Sequence, residues 1–146
     1  AEDVGLMHVP GLSALGNRAV RFGTLTDLIP SQSVALLGYA DGEKLQQPQG
    51  GRVFGEEFYR FGPVLQQGYI SAIAPMHGCG LPSRLLLDIR TTNGLSGSPV
   101  FIPTTGEVIG VHFESNKTTT AFSLPLDAQR VQIYLKNLIC ILSIRQ

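Results

Sequence analysis

Thr91-Thr92-Asn93-Gly94-Leu95-Ser96-Gly97-Ser98-Pro99-Val100-Phe101 is the stretch on which the fold and the chemistry of this chain turn. A serine nucleophile needs its hydroxyl presented on a tight turn, with backbone N–H groups aimed at the oxyanion that develops on the substrate. Glycines on both sides of Ser96 allow both. The same residues also describe a Gly/Ser hairpin loop, because Gly-x-Ser-Gly alone arises often by chance. The surroundings decide between the two.

Outward from Ser96, short apolar runs alternate with turn residues. They are Val4–Val9, Ala19–Phe22, Val34–Tyr39, Gly68–Ala74, Leu85–Ile89, Pro99–Ile102, Glu107–Phe113 and Thr120–Leu124. Each has strand length, and the 17 glycines and 9 prolines punctuate them. That spacing predicts an antiparallel barrel or sandwich. Two segments read as helix. A short one is expected near Thr24–Ile29. A longer one starts near Pro125-Leu126-Asp127, with Asp127 as N-cap and Val131, Tyr134, Leu135, Leu138 and Leu142 at helical spacing. Asp41–Gly55, rich in Gly, Gln and charge, reads as a long exposed loop.

Composition narrows the function classes. The chain has 146 residues, enough for one domain with a core. Hydrophobic residues make up 43% and charged residues 15%, a globular balance. Lys plus Arg and Asp plus Glu are 11 each, so no basic field draws nucleic acid or anionic lipid. The longest apolar run, Leu138–Ile144, is far short of a membrane span. Cys79 and Cys140 are the only cysteines and form no C-x-x-C, which argues against structural zinc. One disulfide and two buried thiols both remain open, so cysteine usage does not fix the compartment.

The flanks of Ser96 carry a resemblance. Gly94–Phe101 is followed by Gly106-Glu107-Val108-Ile109-Gly110-Val111-His112 and then by Ala121–Leu135, in an order and spacing that resemble the trypsin-like superfamily of chymotrypsin-fold serine endopeptidases. Within it the chain is most similar to the glutamyl endopeptidase branch, and parts of the pattern are shared with bacterial Deg-type and viral 3C-like proteases. The resemblance implies an all-β fold: one six-stranded antiparallel barrel over about Ala19–Leu124, the C-terminal half of a two-barrel enzyme, with the helix near Leu126–Leu142 outside it. Residues 1–18 would be the last strand of an absent N-terminal barrel plus the crossover, and residues 19–146 the C-terminal barrel and helix.

The same resemblance assigns roles. Ser96 is the nucleophile, and the backbone N–H groups of Gly94 and Ser96 form the oxyanion hole. Glu2-Asp3-Val4-Gly5-Leu6-Met7-His8-Val9 is similar to the strand that carries the triad aspartate, which makes Asp3 the acid that orients the catalytic histidine. His112 falls where glutamyl endopeptidases place a histidine in the wall of the pocket for the residue preceding the scissile bond, the S1 pocket. Viral 3C-like enzymes have a histidine in a similar context. An imidazole there can pair with a Glu carboxylate or a Gln amide. Arg90 falls at the base of that pocket if it points inward, and is a solvated strand residue if it points outward. Thr91 lines the same wall. Phe113, Glu114 and Ser115 follow along the edge that pairs with substrate backbone. Asp88 matches an aspartate of the Deg-type pattern, where its role is structural.

One part of the pattern is missing. The family's general-base histidine lies upstream of the aspartate, where this chain has only Ala1 and Glu2. His8 follows Asp3 by an odd offset on the same expected strand, which puts it on the opposite face. His77 lies in an expected loop without a catalytic counterpart. The expectation is therefore a serine endopeptidase that cleaves peptides or proteins after Glu or Gln. Its base would come from an N-terminal barrel segment acting as partner, and this chain alone would be nearly inactive. An inactive protease-like binding or regulatory domain, a structural β-domain and a viral polyprotein-processing enzyme are the alternatives. No metal or organic cofactor is implied, and the setting stays open between secretion and the host cytoplasm.

Overall fold

Alternation of buried and exposed residues defines six strands in the computed structural model, which describes residues 19–40, 63–76, 80–115 and 120–143, with side chains to residue 136. They are β1 (Ser33–Gly38), β2 (Val64–Ala74), β3 (Arg84–Asp88), β4 (Pro99–Phe101), β5 (Val108–Ser115) and β6 (Thr120–Pro125), followed by helix α1 (Ala128–Ser143). They close into a barrel in the order β1-β2-β3-β6-β5-β4. Every pairing in it is antiparallel. Closure leaves no edge along the full length of any strand, which a sheet of short strands otherwise exposes.

The β3 sequence shows why these residues form a strand. In Arg84-Leu85-Leu86-Leu87-Asp88, Leu85 and Leu87 are both 0% exposed, Leu86 is intermediate, and the two charged ends are exposed. A period of two puts 85 and 87 on the inward face. Register then carries the inward face around the barrel, since directly opposed residues share a face. Ile70, Leu87 and Ala121 make one such row, through Ile70↔Leu87 and Leu87↔Ala121. Ile73, Leu85, Ser123 and His112 make the next, through Ile73↔Leu85, Leu85↔Ser123 and Ser123↔His112. Ile70 and Ile73 are three apart yet both inward. The register shift between Ile70 and Ala72 restores the parity, as a β-bulge does.

The barrel and the long helix agree with expectation, and the differences have physical reasons. Thr24–Ile29 forms a turn, not a helix. Leu25 and Leu28 are both buried in the core, and a single turn serves their three-residue spacing without further helix. Ala19–Phe22 narrows to one bridge, Phe22 with Val108, flanked by Gly23 N–H donating to the Val108 carbonyl (2.9 Å) and Val108 N–H to the Arg21 carbonyl (2.8 Å). β2 begins at Val64, four residues before the expected Gly68, because Gln66 and Gln67 belong to the strand. Exposed Gln67 donates its side-chain amide to Ser33 Oγ across β1 (3.2 Å). Val4–Val9, the Asp41–Gly55 loop, Cys79 and the Cys140 side chain lie outside the described residues.

The start of α1 follows the sequence closely. Asp127 Oδ1 accepts from Arg130 N–H at 2.8 Å, the geometry of an N-cap. Arg130 in turn donates to the Pro125 carbonyl (2.9 Å) and to the Pro82 carbonyl, tying the helix to the end of β6 and to the approach to β3. Asp127→Ala should lower stability by about 0.5–2 kcal/mol. Leu87→Ala should lower it by about 2–5 kcal/mol, with a distinctly smaller loss for Leu86→Ala. Urea unfolding of the three variants checks the order, and equal losses at 86 and 87 would contradict the inward assignment.

Candidate active site

The Ser96 turn is held by backbone. After β3, Leu95 N–H donates to the Thr92 carbonyl (3.4 Å) and Ser98 N–H to the Leu95 carbonyl (3.1 Å), closing two successive turns. Two further bonds fasten them to β5: Gly97 N–H to the His112 carbonyl (2.7 Å) and His112 N–H to the Ser98 carbonyl (2.9 Å). Leu95 is fully buried beneath the turn and belongs to the barrel core. Its neighbour Ser96 faces solvent. Gly94 and Gly97 adopt φ of 86° and 88°, left-handed conformations that cost L-residues with a Cβ about 1–2 kcal/mol. The two glycines are therefore what lets a serine stand exposed between them.

Among the described residues, the N–H groups of Gly94 and Ser96 donate to no other group. The Ser96 hydroxyl donates to the Phe113 carbonyl at 3.2 Å. Phe113 is available because the register of β5 with β6 shifts between His112 and Glu114, leaving 113 out of the ladder. His112 is the one described histidine. It is 2% exposed, and its Nδ1 lies 3.1 Å from the Phe122 carbonyl oxygen. Burial pulls its pKa below the ordinary 6.5, and the bond to Phe122 opposes that in part. No described imidazole is hydrogen-bonded to Ser96.

Of the other expected site residues, Thr91 is half-buried, and its Oγ1 is buried without a hydrogen-bond partner. Arg90 is exposed, which is the solvated of its two readings. Asp88, also exposed, ends β3. Asp3, His8 and His77 lie outside the described residues. Sequence reasoning missed Ser123, which is 0% exposed, stands opposite His112 and has an Oγ without a partner. The signal available was a serine in the middle of the apolar run Thr120–Leu124. Two surface depressions, one along Leu25, Leu28, Ile73 and Leu81 and one along Pro30, Tyr69 and Asp88, include neither Ser96 nor His112. Among the described residues no group of three or more His, Cys, Asp or Glu side chains is arranged to hold a metal ion, and no helix is long and apolar enough to cross a membrane.

A closed six-stranded antiparallel barrel with a Gly-x-Ser-Gly turn bonded to its fifth strand is the architecture of a chymotrypsin-fold peptidase domain. The family model for the trypsin-like peptidase domain matches residues 1–111, and the chain belongs to that family. Among solved structures it is similar to Rv3671c from M. tuberculosis H37Rv, an inactive serine-to-alanine mutant, at 18% identity and a TM-score of 0.53, covering 84% of this chain and 54% of that one. The tobacco vein mottling virus protease matches at 16% identity and a TM-score of 0.46, over 80% of this chain and 43% of that one. The MamO protease domain from Magnetospirillum magneticum matches at 14% and 0.44, over 73% and 49%. The chain thus spans about half the length of the structures it matches. No curated protein sequence matches it.

The depressed pKa of His112 has a consequence for stability. A histidine whose charged form is disfavoured in the folded state leaves the unfolded chain binding more protons as pH falls below 6.5. Stability associated with His112 is full above that value and is lost as pH falls toward the lowered folded pKa. Between about pH 7 and pH 5, the wild-type melting temperature should therefore fall more steeply than that of His112→Leu, which cannot titrate there. Parallel slopes in a thermal-melt series would contradict the buried neutral imidazole.

Proposed function

We propose that this chain is the nucleophile-bearing half of a serine endopeptidase that hydrolyses peptide bonds through an acyl-enzyme. The observation that carries the reading is the exposed Ser96 on a turn braced by two left-handed glycines, with the N–H groups of Gly94 and Ser96 unspent among the described residues. Ser96 Oγ attacks the scissile carbonyl carbon while a histidine base takes its proton. The oxyanion so formed accepts from Gly94 and Ser96 N–H. The C–N bond then breaks, and the amine leaves with the proton held by the histidine. Water, deprotonated by the same base, attacks the ester, and Ser96 is regenerated as the acid product departs.

In this proposal the base comes from a segment outside these 146 residues, on a partner barrel, and Asp3 orients it. The freed Phe113 carbonyl and the strand after it receive the substrate backbone by β-augmentation. Breaking the Ser96–Phe113 bond is then part of substrate entry, because an incoming N–H competes for the same carbonyl. His112, with Thr91 beside the Ser96 turn, faces the residue before the scissile bond, expected to be Glu or Gln. Arg90, exposed, would act on an acidic side chain only from the rim. One observation favours the second reading, an inactive protease-like binding domain: among the described residues, the Ser96 hydroxyl is hydrogen-bonded to a carbonyl and not to a base.

Labelling with a fluorophosphonate, followed by intact mass, tests the proposal. A longer chain that includes a histidine-bearing upstream barrel should label at Ser96, and its Ser96→Ala variant should not. The 146-residue chain alone should react more slowly by on the order of 10⁶-fold, the cost of removing a triad histidine. Full-rate labelling of this chain alone would put the base within it. No labelling of the longer chain would favour the binding domain.

A further inference from the structure

A glycine ends the inward face of β1 where that face meets the Ser96 turn. β1 and β4 pair through Ala35↔Phe101 and Leu36↔Val100, and the same antiparallel register carried two residues further sets Gly38 opposite Ser98. Leu36 and Val100 are both 0% exposed. Two positions along each chain, Gly38 and Ser98 therefore share that inward face. Both are buried. Gly38 does not have a positive φ, so its backbone takes a conformation open to any L-residue. What demands a glycine there is space.

The Ser96 turn fills that space. A Cβ added at Gly38 would overlap Ser98 Oγ, and would lie 2.9 Å from Ser98 Cβ and 3.1 Å from Leu95 Cδ2. Turning the Ser98 hydroxyl to another rotamer relieves only the first conflict, because rotation about χ1 leaves Cβ where it is. Carbon atoms in ordinary contact stand about 3.5–4.0 Å apart. Ser98 is held from retreating, since its N–H donates to the Leu95 carbonyl and its own carbonyl accepts from His112 N–H. Leu95 is fully buried in the core, where neighbours are close-packed. The equally tight surroundings of Gly23, Gly68 and Gly110 are formed by Ile109, Asp88 and Leu124, whereas those of Gly38 are formed by the turn itself.

We propose that Gly38 is a positioning residue for the Ser96 nucleophile: its missing side chain is the socket that receives Ser98, and this contact, with the backbone bonds to β5, sets where the Ser96 hydroxyl and the Gly94 and Ser96 N–H groups point. The inference rests on the proposed function and deepens it by adding β1 to the elements that hold the site. Gly38 touches no substrate and acts only through Leu95 and Ser98, the residue before the nucleophile and the second after it. Acyl transfer is steep in such displacements, and a misplacement of about 1 Å costs on the order of 10²-fold in rate.

A double-mutant cycle tests it with two read-outs. The first is the rate of fluorophosphonate labelling at Ser96 in the longer chain with its upstream barrel. Gly38→Ala should slow labelling on the order of 10²-fold. In a Ser98→Gly background the same change should cost about twofold or less, because only the yielding Leu95 methyl remains in the way. In a Ser98→Ala background, which keeps the Cβ, the full loss should persist. The second read-out is amide hydrogen exchange of this chain. Gly38→Ala should speed exchange at the Gly97 and His112 amides by about tenfold more than at the amides of β3, and Ser98→Gly should reverse that. Equal slowing of labelling in every background, unchanged labelling, or exchange that quickens uniformly overturns the inference, the last by reducing Gly38 to a general stabiliser. If Gly38→Ala alone does not fold, recovery by Ser98→Gly and not by Ser98→Ala supports the socket, and recovery by both or by neither overturns it. Absence of labelling in the unsubstituted longer chain, with the exchange pattern as expected, supports the Gly38–Ser98 contact and overturns the peptidase proposal.

Discussion

Two backbone hydrogen bonds, Gly97 N–H to the His112 carbonyl and His112 N–H to the Ser98 carbonyl, hold the site together. They join a turn, which by itself is a short loop of small residues, to a strand that is part of a closed barrel. A loop fastened only at its ends samples many conformations, and fixing each residue costs about 1–2 kcal/mol of conformational entropy. Here the barrel carries that cost, because β5 is already fixed by pairing with both β4 and β6. The exposed serine, the two unspent N–H groups and the buried imidazole all inherit their positions from this junction. Leu95 adds an anchor below, placing a fully buried side chain in the core directly beside the exposed Ser96.

The barrel was largely legible in the sequence because its signal is local. A run such as Leu85-Leu86-Leu87 between charged residues is strand-like without any partner, and Gly and Pro mark where it must stop. Asp127 was legible as an N-cap for the same reason, since its bond to Arg130 N–H spans three residues. The failures came where a local pattern had two solutions. Leu25 and Leu28 are spaced for a helix, but a turn also buries both. Gln66 and Gln67 do not form an apolar run, yet both belong to β2: Gln67 is exposed on the outward face with Leu65 and Tyr69, and Gln66, on the opposite face, is half-buried. The first half of β2 alternates in burial but not in residue type, since Leu65 is apolar and exposed while Gln66 is polar and half-buried, so its period of two is hidden in the sequence.

The site divides along the same line. The Gly-x-Ser-Gly turn is a contiguous string, so Ser96, Gly94 and the turn they share could be read directly. The state of His112 could not, because it depends on Phe122, ten residues away on another strand, and on a register that places Ser123 opposite it. The bulge that takes Phe113 out of the ladder is equally invisible. It adds one residue between His112 and Glu114 on one strand only, and nothing in the residue types announces that insertion.

That non-local part also explains why a stable barrel would tolerate a polar row. Ile73 and Leu85 are succeeded, on the same inward face, by Ser123 and His112. An apolar pair at the last two positions would complete the core, and each buried hydroxyl left without a partner costs roughly 1–3 kcal/mol. Sequences that specify one fold generally keep such conflicts out of the interior, and the exceptions gather where a site must be paid for in stability. The conflict here is confined to the end of the row that lies against the Ser96 turn, while the neighbouring row of Ile70, Leu87 and Ala121 remains apolar.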